Sequence, residues 1–166
     1  MPDTPHLILQ VQSNPLFLSG VREMVSNIAK RLGFADEACG QMALAVDEAL
    51  CNVIRHGYQK VPDRPIWLTI YAVGGVSTPE ALAAGHANPV NALKIVIDDE
   101  SPHIDLAKIK SRDLDDIRPG GLGVHIIREV MDEVKYEHRK PTGMRLTMIK
   151  KRTAHADAPH KDESHG

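Results

Sequence analysis

The segment MALAVDEALCNVIRH, residues 42–56, constrains this chain more than any other. Read at 3.6 residues per turn, Cys39, Met42, Val46, Leu50 and Val53 align as one apolar stripe, so the segment is an amphipathic helix that must lie on a core. On another side, roughly opposite, Glu48, Asn52 and His56 recur at every fourth position. Their neighbours Ala38, Gln41, Ala45 and Ala49 are small or uncharged, where a solvated face would carry Lys and Glu. Such a face suits close approach to something that needs a carboxylate and an amide oxygen. Magnesium takes oxygen ligands and keeps several waters, so it suits this pair. A Glu and an Asn four apart are also common on plain surface helices, and the pair gains weight only from its company.

The periodicities place that helix, about Asp36 to Arg55 or His56 and stopped by Gly57, second among the helices. Before it come a short strand, His6 to Val11, and a helix capped by Asn14-Pro15 and ending near Gly33. After it, Ile66 to Val73 and Leu93 to Ile97 read as strands joined by a long connection, Gly74 to Asn91, with a short helical turn at Pro79 to Ala84. A polar loop, Asp98 to Arg118, has the length and composition of a lid. A helix from Val124 to about Asp132 follows, then strands Val134 to Arg139 and Met144 to Lys150 around a Pro-Thr-Gly turn. Residues 1–152 therefore form one domain, and 153–166, lacking any large apolar side chain, are expected to be a disordered tail.

Bulk properties remove several function classes. A formal charge of −2 on 166 residues offers no basic face for nucleic acid and no polybasic membrane anchor. No run approaches the ~18 consecutive apolar residues of a membrane span, and no basic-then-apolar leader opens the chain, so a cytoplasmic protein is expected. Cys39 and Cys51 lie too far apart on one helix to be bridged, which agrees with a reducing compartment. The nine histidines show no metal-ligand spacing.

Two further segments can carry ligand chemistry. The strand 93–97 runs into Asp98-Asp99-Glu100-Ser101, and a carboxylate at a strand end can accept a hydrogen bond from the exocyclic amine of adenine. Three acidic residues in a row are otherwise a solvated loop. Gly120-Gly121-Leu122-Gly123 opens the third helix, where free N–H groups and missing side chains suit a phosphate. Neither a Walker A loop nor a complete dinucleotide fingerprint is present. Arg118, just before the glycines, is within reach of a phosphate or merely solvated.

Taken in order, the chain resembles the anti-sigma-factor serine kinase family, a branch of the GHKL ATPases, over about Leu16 to Lys150. "LAVDEALCNVIRHGY" looks like its N box, "IVIDDESPHID" like its G1 box, "RPGGLGVHIIREVMDEVKY" like its G2 box and "GMRLTMIK" like its last strand. The resemblance implies the Bergerat fold, an α+β two-layer sandwich whose mixed, mostly antiparallel sheet has helices on one face. It implies ATP and magnesium as cofactors, with Glu48 the general base beside the metal and Asn52 a magnesium ligand. Asp99 would take the adenine amino group. Ser101, Gly121, Leu122, Gly123 and Val124 would line the nucleotide, with Gly121 and Gly123 letting the lid close over the phosphates. Asp98 or Asp105 would assist, and His56 stands where the family often carries histidine. The implied partners are a STAS-domain anti-sigma-factor antagonist, a sigma factor or similar regulator, and a second copy of the chain.

One departure matters. The G1 box usually reads Asp-x-Gly, and here the third position is Ser101. If that backbone must take positive φ or lie against the base, serine costs roughly 1 kcal/mol or narrows the pocket. The alternative function is thus a non-catalytic partner-switching module that binds nucleotide weakly or not at all. A third reading is an ATP-hydrolysing conformational domain or a detached histidine-kinase catalytic domain.

Overall fold

The computed structural model describes residues 4–74, 90–102, 106 and 122–153. The helical turn expected at 79–84, most of the lid segment (103–105 and 107–118) and the tail from 154 lie outside the described residues. The elements are β1 (Leu7–Gln12), α1 (Leu18–Arg31), α2 (Asp36–Asn52), β2 (Pro65–Val73), β3 (Ala92–Asp98), α3 (Leu122–Val130), β4 (Glu133–His138) and β5 (Met144–Lys151). A 3-10 turn, Pro15–Phe17, leads into α1, and the Asn14 side chain caps it by accepting from the Leu16 amide at 3.0 Å.

Helix α1 stops where its sequence allows. Gly33 takes φ +84, and the amides of Gly33 and Phe34 return to the carbonyls of Lys30 and Ala29, both at 3.1 Å. These are the paired bonds of a Schellman end, which needs a left-handed residue that glycine supplies without strain. Phe34 is then buried in the core.

The strands form one sheet in the order β1-β2-β3-β5-β4, and every neighbouring pair is antiparallel. A mostly antiparallel sheet with some parallel pairing was expected, and the insertion of β5 explains why the parallel pairing is absent among the described strands. The return through α3 runs β4 in the same direction as β3, but β5 lies between them, so the two never pair. The register stacks Leu68 on Ile97, Ile70 on Ile95, Ile97 on Leu146 and Ile95 on Met148. All of these are buried and face Val21 and Val25 of α1, Met42, Val46 and Leu50 of α2, and Ile127 of α3 in a single core. Burying side chains of this size contributes about 1.5–3 kcal/mol each, which explains why α2 is held in place between α1 and α3. The alternate positions of the sheet face away from the helices. There Lys94 lies 4.1 Å over the Tyr71 ring and Arg139 5.3 Å over Trp67. The helices thus occupy one face, as an α+β sandwich requires.

Candidate functional site

Helix α2 carries the site. Met42, Val46 and Leu50 sink into the core, and Glu48 and Asn52, one turn apart, stay half-buried on another side of the helix. What they face is the start of α3. A Cβ built on Gly123 would stand 2.7 Å from Glu48 Oε2 and 3.3 Å from both the nitrogen and the oxygen of the Asn52 amide. The backbone at Gly123 thus rests on the carboxylate–amide pair, an approach that any side chain at 123 would obstruct. Leu122 is exposed and Val124 half-buried beside it. Gly121, also expected to line the ligand, lies outside the described residues, as do Asp105 and Arg118.

The alanines of α2 have a packing role that the sequence reading assigned to a ligand. Ala45 and Ala49 are buried, and α2 is packed on both sides by α1 and α3. Small residues let neighbouring helices come close, so the ligand face narrows to Glu48, Asn52 and what borders them.

Beyond Asn52 the helix widens. Val53–Gly57 is a π turn, closed by the Tyr58 amide on the Val53 carbonyl at 2.8 Å. The four-residue spacing that stacks Asn52 on Glu48 therefore stops short of His56, which is exposed on this last turn. The π turn delivers two residues to the end of β3. Gly57 is buried against Ser101, and a Cβ on it would lie 3.1 Å from the Ser101 Cβ and 3.2 Å from its Oγ. Tyr58 donates its hydroxyl to the Pro65 carbonyl at 2.6 Å and accepts the Glu100 amide at 2.7 Å. Burial, more than any neighbouring charge, raises its pKa above the usual tyrosine value.

Asp98 and Asp99 diverge. Asp98 turns to the open face of the sheet, where Arg145 grips both of its oxygens at 2.8 Å and Arg139 approaches to 3.7 Å. That fork is why the Arg145 pKa is raised, and it leaves Asp98 on the face away from Glu48. Asp99 turns the other way and is buried. Its Oδ1 accepts the Ser101 amide at 2.8 Å, the Ser101 hydroxyl at 2.6 Å and the Met144 amide at 3.1 Å. Its Oδ2 carries none of these bonds.

Ser101 is fully buried, and its φ is not positive. The backbone strain expected of a serine here is therefore absent. The positive φ falls instead on Gly143, at +104, whose Cα faces the Asp99 carbonyl so closely that a Cβ would collide with it. The Arg139 guanidinium donates to that carbonyl at 2.6 Å, and the Thr142 hydroxyl donates to the Ser101 carbonyl at 3.1 Å. The β4–β5 turn thus clamps residues 99–101. Tyr58, Gly57, Arg139, Thr142 and Gly143 were missed in the sequence because they lie about 40 residues or more from Asp99 and follow no local period.

The donor set fits a hard cation. Glu48 and Asn52 offer a carboxylate and an amide oxygen, with the rest of the shell left to water and phosphate. Among the described residues no group of three His, Cys, Asp or Glu side chains forms a metal site by itself. None of the described helices is long and apolar enough to cross a membrane.

A family model described as the histidine kinase-like ATPase domain matches residues 11–150. A serine-protein kinase RsbW from Listeria monocytogenes is 28% identical over 149 residues, covering 85% of this chain and 85% of the relative. A serine-protein kinase RsbW from Oceanobacillus iheyensis is 24% identical over 147 residues, covering 84% and 83%. Among solved structures, the histidine kinase domain of Erythrobacter litoralis EL346 blue-light activated histidine kinase is 18% identical with a TM-score of 0.42. That match covers 83% of this chain and 60% of the other.

Proposed function

The chain belongs to the histidine kinase-like ATPase domain family, and from that premise we propose that it is an ATP- and magnesium-dependent protein serine/threonine kinase of the anti-sigma-factor type. Its substrate is a serine or threonine on a STAS-domain antagonist, and it also captures a sigma factor or similar regulator, so that the two partners compete for it. Relatives bearing the name serine-protein kinase RsbW, aligned over most of their length, support this reading. The observation that supports it is the seating of Gly123 on Glu48 and Asn52, which brings a carboxylate, an amide and a backbone without a side chain together.

Bound magnesium supplies charge neutralisation for the phosphates. Asn52 offers it the amide oxygen, and Glu48 accepts the proton of the substrate hydroxyl as that oxygen bonds to the γ-phosphorus and ADP leaves. Gly123 would leave the start of α3 free of side chains where the phosphates bind. Asp99 accepts the exocyclic amine of adenine.

The non-catalytic alternative drew on a serine that was expected to damage the base pocket. Ser101 instead sits unstrained and bonded to Asp99, which favours an intact pocket. Phosphate transfer from ATP to the STAS-domain proteins of the same organism, measured for wild type and Glu48→Ala, tests the kinase. A loss of about 10²–10⁴-fold in rate is expected. Equal transfer by both proteins defeats the mechanism, while Mg-ATP titration that gives no heat with wild type favours the module.

A further inference from the structure

The family pattern places a glycine at position 101, and this chain places there a buried side chain with a strong hydrogen bond. We propose that Ser101 is a positioning residue for base selection: its amide and hydroxyl hold the Asp99 carboxylate so that Oδ2 alone is presented to the exocyclic amine of adenine. The inference rests on the nucleotide reading above and extends it to a residue that reading treated only as a departure.

The carboxylate at 99 has two oxygens and several lone pairs, so an unrestrained Asp99 could accept from more than one direction. Three donors converge on Oδ1, and two of them belong to Ser101. The third, the Met144 amide, comes from β5, whose own carbonyl accepts the Asp99 amide at 3.0 Å. Glycine at 101 would keep the amide bond and lose the hydroxyl, the shorter of the two at 2.6 Å against 2.8 Å. Space for the serine comes from across the site. Gly57 has no side chain where a Cβ would press on Ser101 Cβ and Oγ, so the two positions together hold one small side chain.

A fixed acceptor discriminates because adenine carries an amine where guanine carries a carbonyl at the corresponding ring position. Oδ2 can only accept, so it pairs with the amine and repels the carbonyl. A carboxylate held by two bonds instead of three turns more readily off the guanine carbonyl or toward another donor on that base. Removing the hydroxyl therefore erodes discrimination between the bases. A purely structural role would weaken both nucleotides together.

The test is calorimetric titration of the full chain with Mg-ATP and with Mg-GTP, for wild type, Ser101→Ala and Ser101→Cys. Alanine removes the hydroxyl, while cysteine fills the space with a weak donor and serves if alanine does not fold. Melting without nucleotide checks that each variant is native. Both variants are expected to lose about tenfold in the ATP-over-GTP affinity ratio, the scale of one hydrogen bond to a charged group. An unchanged ratio in a native variant overturns the role of Ser101 and leaves the nucleotide reading standing. A wild type that gives no heat with Mg-ATP overturns both.

Discussion

Gly123 and Glu48 meet backbone to carboxylate: a methyl group on the glycine would stand 2.7 Å from Oε2. The clash would be with the far end of a flexible, half-buried side chain rather than with backbone. Gly123→Ala is therefore relieved by turning Glu48 aside. Gly123 is buried, so we expect a stability loss toward the low end of the ~1–3 kcal/mol that overpacking costs, because the carboxylate can move, together with a loss of phosphate transfer of at least about tenfold if Glu48 is the base. Thermal melting and a transfer assay on the same preparation separate the two effects.

Gly57 and Ser101 compete for one volume. Gly57→Ala brings its Cβ within 3.1 Å of the serine Cβ and is expected to lower stability by about 1–3 kcal/mol, as small-to-large changes in packed sites do. Adding Ser101→Gly removes the group that it presses on, so the double variant should be more stable than the sum of the single changes predicts. Urea denaturation of the four proteins gives a coupling energy expected near 1 kcal/mol. Strict additivity would show that the two residues are not in contact.

Tyr58→Phe deletes a hydroxyl that has two partners, the Pro65 carbonyl and the Glu100 amide. Pro65 is half-buried and Glu100 exposed, so water can reach the freed groups and we expect a loss of about 0.5–1.5 kcal/mol by urea denaturation. The freed Glu100 amide also loosens the segment next to Asp99, and Mg-ATP affinity should fall with it.

Tyr136→Phe should go the other way. The Tyr136 hydroxyl is buried and finds no hydrogen-bond partner among the described residues, and burial pushes its pKa up to about 12. Removing it at neutral pH is expected to be neutral or to stabilise by up to about 1 kcal/mol. The pH dependence follows from the sign of the shift. Below the unfolded-state pKa of about 10 both states keep the proton and the tyrosine adds no slope. Between about 10 and 12 the unfolded chain ionises while the folded one does not, so stability falls as pH rises, by on the order of 2 kcal/mol in all. Comparing wild type with the phenylalanine variant across that window isolates the contribution from other groups that titrate there. Parallel curves would contradict it.

The parts of this molecule that repeat along the chain were legible in its residues. Met42, Val46 and Leu50 recur at helical spacing, and all three are buried under the sheet. Leu93 to Ile97 reads as an interior strand, and six of the seven residues of β3 are buried, with Leu93, Ile95 and Ile97 facing the helices. The four-residue spacing of Glu48 and Asn52 put both on one side of α2, and that side meets Gly123 at the start of α3. Other features do not follow from any period. The π turn after Asn52 has no marker in the residues 53–57, so His56 was expected to continue a column that ends one turn earlier. The insertion of β5 between β3 and β4 depends on how the last hairpin docks, which alternation alone does not set. The clamp on Asp99 joins groups from α2, the β4–β5 turn and β5, and only the folded chain brings them together. Ser101 read as damage because local sequence could not reveal that the room for it is left open at Gly57.

The widened last turn of α2 has a consequence for how this helix tolerates changes in length. Each α-helical residue advances the chain by about 100°, so removing one residue from 53–57 to restore ordinary winding would rotate Tyr58 and Gly57 away from β3 while Glu48 and Asn52 stayed put. The extra residue acts as a phase shifter. It lets a single rod turn Glu48 and Asn52 to the start of α3 and bring Gly57 and Tyr58 to the strand end, two directions that uninterrupted winding would not serve together.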